Sequence, residues 1–216
     1  MEDNQENKNL VKKEKNKNQS EIYQGVGAFV LEIVKIIILA FVIIYPIRAF
    51  FFQPFFVKGA SMEPNFEDGQ YLIINELGLK ETRLELRGKV FFNFQPFKDL
   101  EREEVVVFRY PRDPQKFFIK RVIGLPGEKI EIKDGKVTIF NRQNLDGFVL
   151  DEKKYLSSKV KTTGDQIVDL GEEEYFVMGD NRAFSSDSRF WGPINKKDVM
   201  GKVMLRAWPI NKATTF

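Results

Sequence analysis

The feature that most constrains this chain is an apolar stretch near its N-terminus, residues 28–56. Its densest part runs without a charge from Ile36 to Ile47. Extended back to Phe29, the run covers about 19 residues, which rise about 28 Å as a helix at about 1.5 Å per residue. That length nearly matches a hydrocarbon core of about 30 Å. We therefore predict one N-terminal transmembrane helix within residues 28–56, although apolar composition alone does not define its edges.

Charges on either side of this stretch predict its orientation. Residues 1–27 are mostly polar, with abundant Lys, Asn, Gln and Glu, so we expect a disordered tail. Four lysines between residues 12 and 17 precede the stretch, whereas Arg48 and Lys58 closely follow it. We expect a single-pass protein of the cell (plasma) membrane, and the positive-inside rule predicts its orientation. Its N-terminus would be cytoplasmic, and residues 57–216 would be extracytoplasmic.

Two other interpretations of the apolar stretch are a helix buried in a core and a cleaved signal peptide. Its length favours a membrane span over a buried helix. A cleavable signal needs small residues close behind its apolar region. Here Ala49 is followed by the bulky run of Phe50, Phe51 and Phe52, which argues against cleavage.

The chain contains no His and no Cys, and this excludes several kinds of catalytic site. A Ser-His-Asp triad, a Cys nucleophile and a zinc site built on His or Cys are all impossible. A hydrolase made from this chain must activate its nucleophile with Lys, Asp, Glu or a carboxylate-bound metal. The formal net charge is only +3 and the basic residues are scattered, so we expect no nucleic-acid partner.

Beyond the apolar stretch, the pattern is mainly β. Short apolar runs predict strands at Tyr71–Ile74, Val105–Phe108, Phe176–Met178 and Val203–Trp208. Residues 131–139 alternate between polar and apolar on both sides of Asp134-Gly135, the strongest short signal for a hairpin. Residues 141–170 are polar and irregular, so we expect an excursion from the core there.

Lys120 is the first candidate for chemistry. In a strand over residues 117–123, alternation places Phe118, Lys120 and Val122 on one face. Apolar neighbours desolvate a lysine and lower its pKa from about 10.4, and a general base near neutral pH needs about 7–8. The alternative is a lysine whose stem packs while its amine reaches water.

Ser61 is the second candidate. Gly59 and Ala60 precede it and remove side-chain bulk, so a substrate backbone can come close. The N–H of Ser61 is then free to aim at a developing oxyanion. The alternative is an ordinary turn serine, since serine is common in turns.

A third segment, residues 179–192, is dense in hydrogen-bonding side chains and follows a predicted strand. We expect a loop held by its own polar network, because Phe184, Phe190 and Trp191 favour packing against the body of the domain. The alternative is a large solvated loop, since Gly-Asp-Asn is ordinary turn chemistry.

Four motifs together resemble those of bacterial signal peptidase I, the leader peptidase family. They are SMEP at 61–64, VVVFRYP at 105–111, FIKRVIGLPGE at 118–128 and GDNRAFSSDSRFWGP at 179–193, in the family's order. The resemblance covers roughly residues 30–208. It implies a mainly β, signal-peptidase-type catalytic domain behind one N-terminal transmembrane helix.

The resemblance also implies a serine endopeptidase that works through a Ser-Lys dyad. Ser61 matches the nucleophile and Lys120 the general base of this family. Ser185 matches a serine that hydrogen-bonds the base, and Met62 matches a residue near the substrate groove. The implied partners are the lipid bilayer and secretory preproteins, which are cut after a small-x-small site. The implied reaction requires no metal or organic cofactor.

Two ion pairs are implied as supports of this site. Asp180 would pair with Arg121, and Asp187 with Arg189. One departure from the family concerns Gly59, because some members carry there a serine whose hydroxyl completes the oxyanion hole. The second oxyanion donor of this chain is then either a backbone N–H or a water.

Three competing interpretations remain. A self-cleaving regulator of the LexA type also uses Ser and Lys, but it needs a DNA-binding head. An inert membrane-bound receptor for preproteins would lack the dyad. Finally, Ser158 and Lys161 fit the Ser-x-x-Lys pattern of penicillin-binding enzymes, but they lie in a polar segment and the accompanying Ser-Asp-Asn is absent.

Overall fold

The computed structural model of this chain describes residues 29–44, 53–76, 82–86, 89–94 and 99–216. The chain divides into two units, Met1–Ala49 and Phe50–Phe216. In the first unit, residues 29–44 form helix α1. Within the described ranges, no helix combines the length and the apolarity that crossing a bilayer requires. The predicted tail over residues 1–27 lies outside the described residues.

The end of the predicted membrane span requires a correction. Residues expected to finish the span form strand β1 (Gln53–Phe56), which pairs antiparallel with β2 (Tyr71–Asn75). Pro54 explains the difference, because proline lacks the N–H that a helix interior needs but is tolerated in an edge strand. The strand-rich unit therefore begins before residue 57.

The second unit is mainly β, as predicted. The short helix α2 (Ser188–Trp191) follows its eleventh strand. The remaining strands are β3 (Thr82–Leu86), β4 (Lys89–Phe94), β5 (Val105–Tyr110), β6 (Asp113–Gly124), β7 (Lys129–Lys133), β8 (Lys136–Asn141), β9 (Asn144–Val149), β10 (Gln166–Asp169), β11 (Glu174–Met178), β12 (Ile194–Asn195), β13 (Val199–Trp208) and β14 (Thr214–Thr215).

These strands form three antiparallel sheets. The largest has the order β1-β2-β13-β5-β6-β11-β12, and β14 adds to β13. A second sheet has the order β10-β7-β8-β9, and β3 pairs with β4 in a third. The predicted hairpin is confirmed as β7 and β8, and its Asp134 and Gly135 have φ of 52° and 79°. Positive φ at both central residues is what a type I′ turn requires.

The segment expected to be an irregular excursion, residues 141–170, instead contributes to a sheet and a core. It contains β9 and β10, which flank β7 and β8 in the second sheet. Leu150, Tyr155 and Leu156 of this segment are buried in the same core cluster as Ile130 of that sheet. These positions are too sparse for a period-2 pattern, so the polar residues between them obscured the signal.

Strand β6 contacts all three hydrophobic clusters of the second unit. Ile123 lies in the cluster under the second sheet, Val122 lies in another, and Ile119 packs against the third. Lys120 therefore projects from a strand that is held firmly on both sides, with Val106 of β5 as its backbone partner.

Candidate active site

Ser61 lies in a run of turns between β1 and β2 that is fastened to the domain. Gly59 has φ of 89°, a conformation that favours glycine, and its N–H donates to Asp68 Oδ1 at 2.6 Å. The next residue, Met62, and Phe66 are both buried in the core. Ser61 itself stays partly exposed. The loop thus presents the serine hydroxyl on a packed base.

Lys120 reaches this hydroxyl from β6. Its Nζ donates to Ser61 Oγ at 2.7 Å and to the backbone oxygen of Ile119 at 2.8 Å. The residue is only 4% exposed, and Nζ lies 5.5 Å from the centre of the Phe118 ring. The structure therefore brings Ser61 and Lys120 together, although they stand far apart in the chain.

Burial favours the neutral form of Lys120. Desolvation lowers the pKa of Lys120 from 10.5 to about 8, although the negative charges of Asp187 and Asp180 oppose the shift. A lysine with that pKa is neutral in about one molecule in ten at pH 7. Once neutral, Nζ has a lone pair within hydrogen-bond distance of the Ser61 hydroxyl, the geometry that a general base requires.

The loop after β11 contacts the Ser61 loop directly. A Cβ added to Gly179 would lie 2.4 Å from the carbonyl oxygen of Ser61 and 2.2 Å from Ser185 Oγ, so only glycine fits there. The N–H of Asn181 donates to the Ser61 carbonyl at 3.0 Å, and its side-chain amide donates to the Ala60 carbonyl at 3.0 Å. We did not predict Asn181 as a site residue; the density of polar groups in residues 179–192 was the available signal.

Ser185 lies within this loop and is buried. The hydrogen bond to the base that the resemblance implies is not formed, because Ser185 Oγ has no hydrogen-bond partner within the described part of the chain. The hydroxyl lies close enough to Asp187 to favour the charged form of that carboxyl group. Ser185 is therefore near the dyad without contacting Lys120 through a hydrogen bond.

Arg121 and Asp180 form the ion pair that the resemblance implies. The guanidinium donates through Nε to Oδ1 at 2.8 Å and through Nη2 to Oδ2 at 2.6 Å. Its Nη1 also donates to the Glu103 carbonyl at 2.8 Å, and the Cζ atom of Arg121 lies 4.3 Å from the Tyr155 ring centre. As predicted from strand alternation, Arg121 points away from the face that carries Lys120.

Asp187 and Arg189 form a second pair, which is almost inaccessible to solvent. Asp187 accepts from Arg189 Nε at 2.8 Å and from the Gly179 N–H at 3.0 Å. Burial raises the pKa of Asp187, but these hydrogen bonds and the Arg189 charge lower it by more. The pKa of Asp187 is therefore below its usual value. The pair therefore fixes the backbone on which Gly179 faces Ser61.

Arg182 is a further supporting residue that the sequence did not reveal. Its guanidinium donates to both carboxylate oxygens of Glu152, to Thr162 Oγ1 and to the Gly179 carbonyl. These partners lie in the segment 141–170, which looked irregular. No property of Arg182 itself distinguishes it from a solvated arginine, so only its buried environment identifies the contact.

An open groove of about 650 Å³ leads to the dyad. Its wall is largely apolar and includes Phe55, Leu72 and Phe117, together with Gly59, Ser61, Lys120 and others. Met62 does not line the groove, because its side chain points into the core and is only 1% exposed.

The backbone N–H of Ser61 has no hydrogen-bond acceptor among the described residues. The N–H of Gly59, by contrast, is engaged by Asp68. Among the described residues, the Ser61 N–H is therefore left available to an external acceptor. Across the described ranges, no group of three or more acidic residues is arranged to hold a metal ion.

Sequence comparisons relate this chain to signal peptidases. Residues 30–208 match the model of a family described as signal peptidase, peptidase S26. Signal peptidase IB of Staphylococcus aureus (strain COL) is 30% identical over 193 residues, which cover 85% of this chain and 92% of that relative. Signal peptidase I P of Bacillus subtilis subsp. natto is 30% identical over 186 residues, which cover 85% and 91%. A crystal structure of a signal peptidase I from Enterococcus faecalis V583 is 32% identical with a TM-score of 0.40, covering 49% of this chain and 97% of that one.

Proposed function

Because this chain belongs to the signal peptidase family, peptidase S26, and is a serine endopeptidase, we propose that it removes N-terminal signal peptides from exported preproteins. The cut falls after a site with small residues at the first and third positions before it. Ser61 is the nucleophile and Lys120 the general base. The observation that carries this proposal is the 2.7 Å contact between Ser61 Oγ and the Nζ of a buried lysine.

Acylation begins when neutral Lys120 accepts the Ser61 hydroxyl proton as Oγ attacks the scissile carbonyl carbon. The carbonyl oxygen gains negative charge and accepts a hydrogen bond from the Ser61 N–H. Lys120 then returns the proton to the leaving amine, which departs as the new N-terminus of the mature protein. Base catalysis of this kind contributes about 10²–10⁴-fold to the rate.

Deacylation repeats these steps with water in place of Ser61. Lys120 removes a proton from the water, and the resulting hydroxide attacks the acyl-enzyme. The ester bond to Oγ breaks, and Lys120 returns the proton to Ser61 Oγ. This two-step reaction is the Ser-Lys variant of the mechanism that Ser-His-Asp proteases use. The ion pairs Arg121–Asp180 and Asp187–Arg189 support the loop that faces Ser61, and Ser185 fills the space beside it.

The groove lining supports a substrate bound in extended form next to the dyad. Its walls are apolar close to Ser61, and Gly59 leaves the approach open because it has no side chain. A small side chain before the cut leaves the scissile carbonyl free to reach Ser61. No step of this reaction calls for a metal or an organic cofactor, and the scattered basic residues favour no nucleic-acid partner.

Membrane anchoring is part of the proposal. The apolar stretch that includes α1 would serve as a single transmembrane anchor, and residues 1–27 would lie in the cytoplasm. The domain that contains Ser61 would then lie outside the cytoplasm. Because the chain has no Cys, single cysteines introduced as Ser20→Cys and Leu145→Cys give a clean test with a membrane-impermeant thiol reagent on intact cells. Labelling of residue 145 alone is expected, and labelling of residue 20 would contradict this orientation.

Cleavage of a preprotein by the detergent-purified chain tests the reaction itself. Wild type is expected to cut after a small-x-small site, read by mass spectrometry. Ser61→Ala and Lys120→Ala are expected to lose at least about 10²-fold in rate, since each removes a reacting group. The matched controls are Ser158→Ala and Lys161→Ala, which alter the competing Ser-x-x-Lys pair. Cleavage that persists in either dyad variant would refute the dyad, and no cleavage by wild type would favour a preprotein receptor.

A further inference from the structure

One side chain of the loop after β11 holds the peptide unit that ends at Ser61. The amide nitrogen of Asn181 donates to the Ala60 carbonyl at 3.0 Å. The backbone N–H of the same residue donates to the Ser61 carbonyl at 3.0 Å. Asn181 thus contacts both carbonyl groups that flank the Ser61 N–H.

The geometry of the peptide bond makes the first contact matter. The Ala60 carbonyl and the Ser61 N–H belong to one planar trans peptide unit, so they point in opposite directions. A hydrogen bond that fixes the direction of the carbonyl also fixes the direction of the N–H on the other side. Since hydrogen bonds in a chain polarise one another, donation to the Ala60 oxygen also strengthens the Ser61 N–H as a donor.

Asn181 is itself held in place. Its own carbonyl accepts the N–H of Phe184 at 3.0 Å, which closes a turn. The preceding residue, Asp180, is paired with Arg121 through two hydrogen bonds, so the base of this turn does not move freely. The Ala60 oxygen also accepts the N–H of Glu63 at 3.2 Å, within the Ser61 loop. Asn181 supplies the contact that ties this peptide unit to the other loop.

We propose that Asn181 is a positioning residue that aims the Ser61 backbone N–H at the oxyanion. This inference rests on the proposed function, because it assumes that Ser61 forms a tetrahedral intermediate. It concerns the Ser61 N–H, which has no acceptor among the described residues, whereas the Gly59 N–H is engaged by Asp68. Asn181 acts through the Ala60–Ser61 peptide and does not touch the substrate.

The inference predicts a loss in the transition state with little loss in substrate binding. Asn181→Ala removes the contact to Ala60 and keeps the charge of the site. We expect kcat to fall by about 10–100-fold, since loss of a whole oxyanion donor costs about 10²–10³-fold and here the donor is only misdirected. We expect KM to change less than about threefold, because ground-state contacts stay intact.

Two inhibitors separate positioning from general disorder. A peptide boronate forms a tetrahedral adduct with Ser61 and carries an oxygen in the oxyanion position. The same peptide with a terminal carboxamide binds the groove without forming that adduct. In Asn181→Ala, affinity for the boronate is expected to fall by the same factor as kcat, while affinity for the carboxamide stays at the wild-type value.

Asn181→Asp and Asn144→Asp complete the experiment. Asn181→Asp keeps the shape but replaces the donor, and its added charge acts on Lys120, so its rate is compared on the high-pH plateau. Asn144→Asp makes the same change at an exposed position in the second sheet and is expected to behave as wild type. Thermal melting of each variant reports folding.

The inference and the proposed function fail in different ways. If wild type cleaves, Ser61→Ala does not, and both Asn181 variants keep the wild-type kcat, only the inference is overturned. Equal losses of boronate and carboxamide binding would also overturn it, because they indicate a merely structural role. A wild-type chain that cuts no preprotein would overturn both.

Discussion

Arg182 and Glu152 form a two-point ion pair between the loop that faces Ser61 and the segment 141–170. Nη2 lies 2.5 Å from Oε1 and Nη1 lies 3.1 Å from Oε2. The Arg182 side chain is 1% exposed, and its Nε donates to the Gly179 carbonyl at 3.1 Å. Through Arg182, the segment 141–170 therefore helps to hold Gly179, the residue that lies directly against Ser61.

Glu152→Ala is expected to destabilise the protein strongly. The change leaves the buried Arg182 guanidinium without its carboxylate partner, and breaking a buried pair in this way costs about 3–5 kcal/mol. The measurement is the free energy of unfolding in urea. The matched control is Glu67→Ala, which removes an exposed partner of Lys212 and is expected to leave the unfolding midpoint nearly unchanged. Similar midpoints for the two variants would contradict the structural role of Arg182.

Gly179→Ala is expected to abolish most activity. The added methyl would stand 2.4 Å from the Ser61 carbonyl oxygen, so the two loops must separate and carry Ser61 away from Lys120. A displacement of about 1 Å at a catalytic group lowers the rate by about 10²-fold. Gly171→Ala is the control, because the nearest atom to its new methyl is in the flexible side chain of Glu174 at 3.4 Å. Cleavage assays of both variants, with melting curves, decide the outcome, and full activity in Gly179→Ala would contradict it.

The rate of cleavage is expected to follow the ionisation of Lys120. Its pKa is lowered to about 8 by burial, and only the neutral amine accepts a proton from Ser61. The value of kcat/KM should therefore rise about tenfold per pH unit below pH 7 and level off above about pH 9. Phe118→Ala admits water beside Nζ, so its profile should shift toward higher pH. A flat wild-type profile between about pH 6 and 8 would contradict Lys120 as the base.

Lys120→Met is expected to make the protein more stable while it loses activity. The folded state lowers the pKa of Lys120 from 10.5 to about 8, so folding disfavours the charged form. The resulting destabilisation amounts to at most about 3 kcal/mol. It is complete below about pH 8 and disappears as the pH rises toward the unfolded pKa. The free energy of unfolding of Lys120→Met should therefore exceed that of wild type by about 1–3 kcal/mol at pH 7. The two should converge near pH 10.5, and an equal gain at both pH values would contradict burial of the charge.

Some of the fold could be predicted because its signals are local. The β7–β8 hairpin follows from Asp134-Gly135 between alternating residues, and its turn has the expected backbone conformation. Strand alternation in β6 also separated the face of Lys120 from that of Arg121. The strand β1 was not predicted, since a short run in which two phenylalanines follow a proline resembles the end of a membrane helix. The strands β9 and β10 were missed because their apolar residues do not alternate with polar ones.

By itself, the sequence determined which chemistry is available. Without His or Cys, the chain depends on Ser, Lys and carboxylates, and its four motifs indicate the family and the identity of the dyad. Only the tertiary structure decided how these residues meet. Ser61 and Lys120 stand 59 positions apart, and the burial of Lys120 and the contacts of Asn181 and Arg182 depend on distant segments. The physical reason is that periodicity and turn preference arise among neighbours in the chain, whereas desolvation and hydrogen-bond partners arise among neighbours in space.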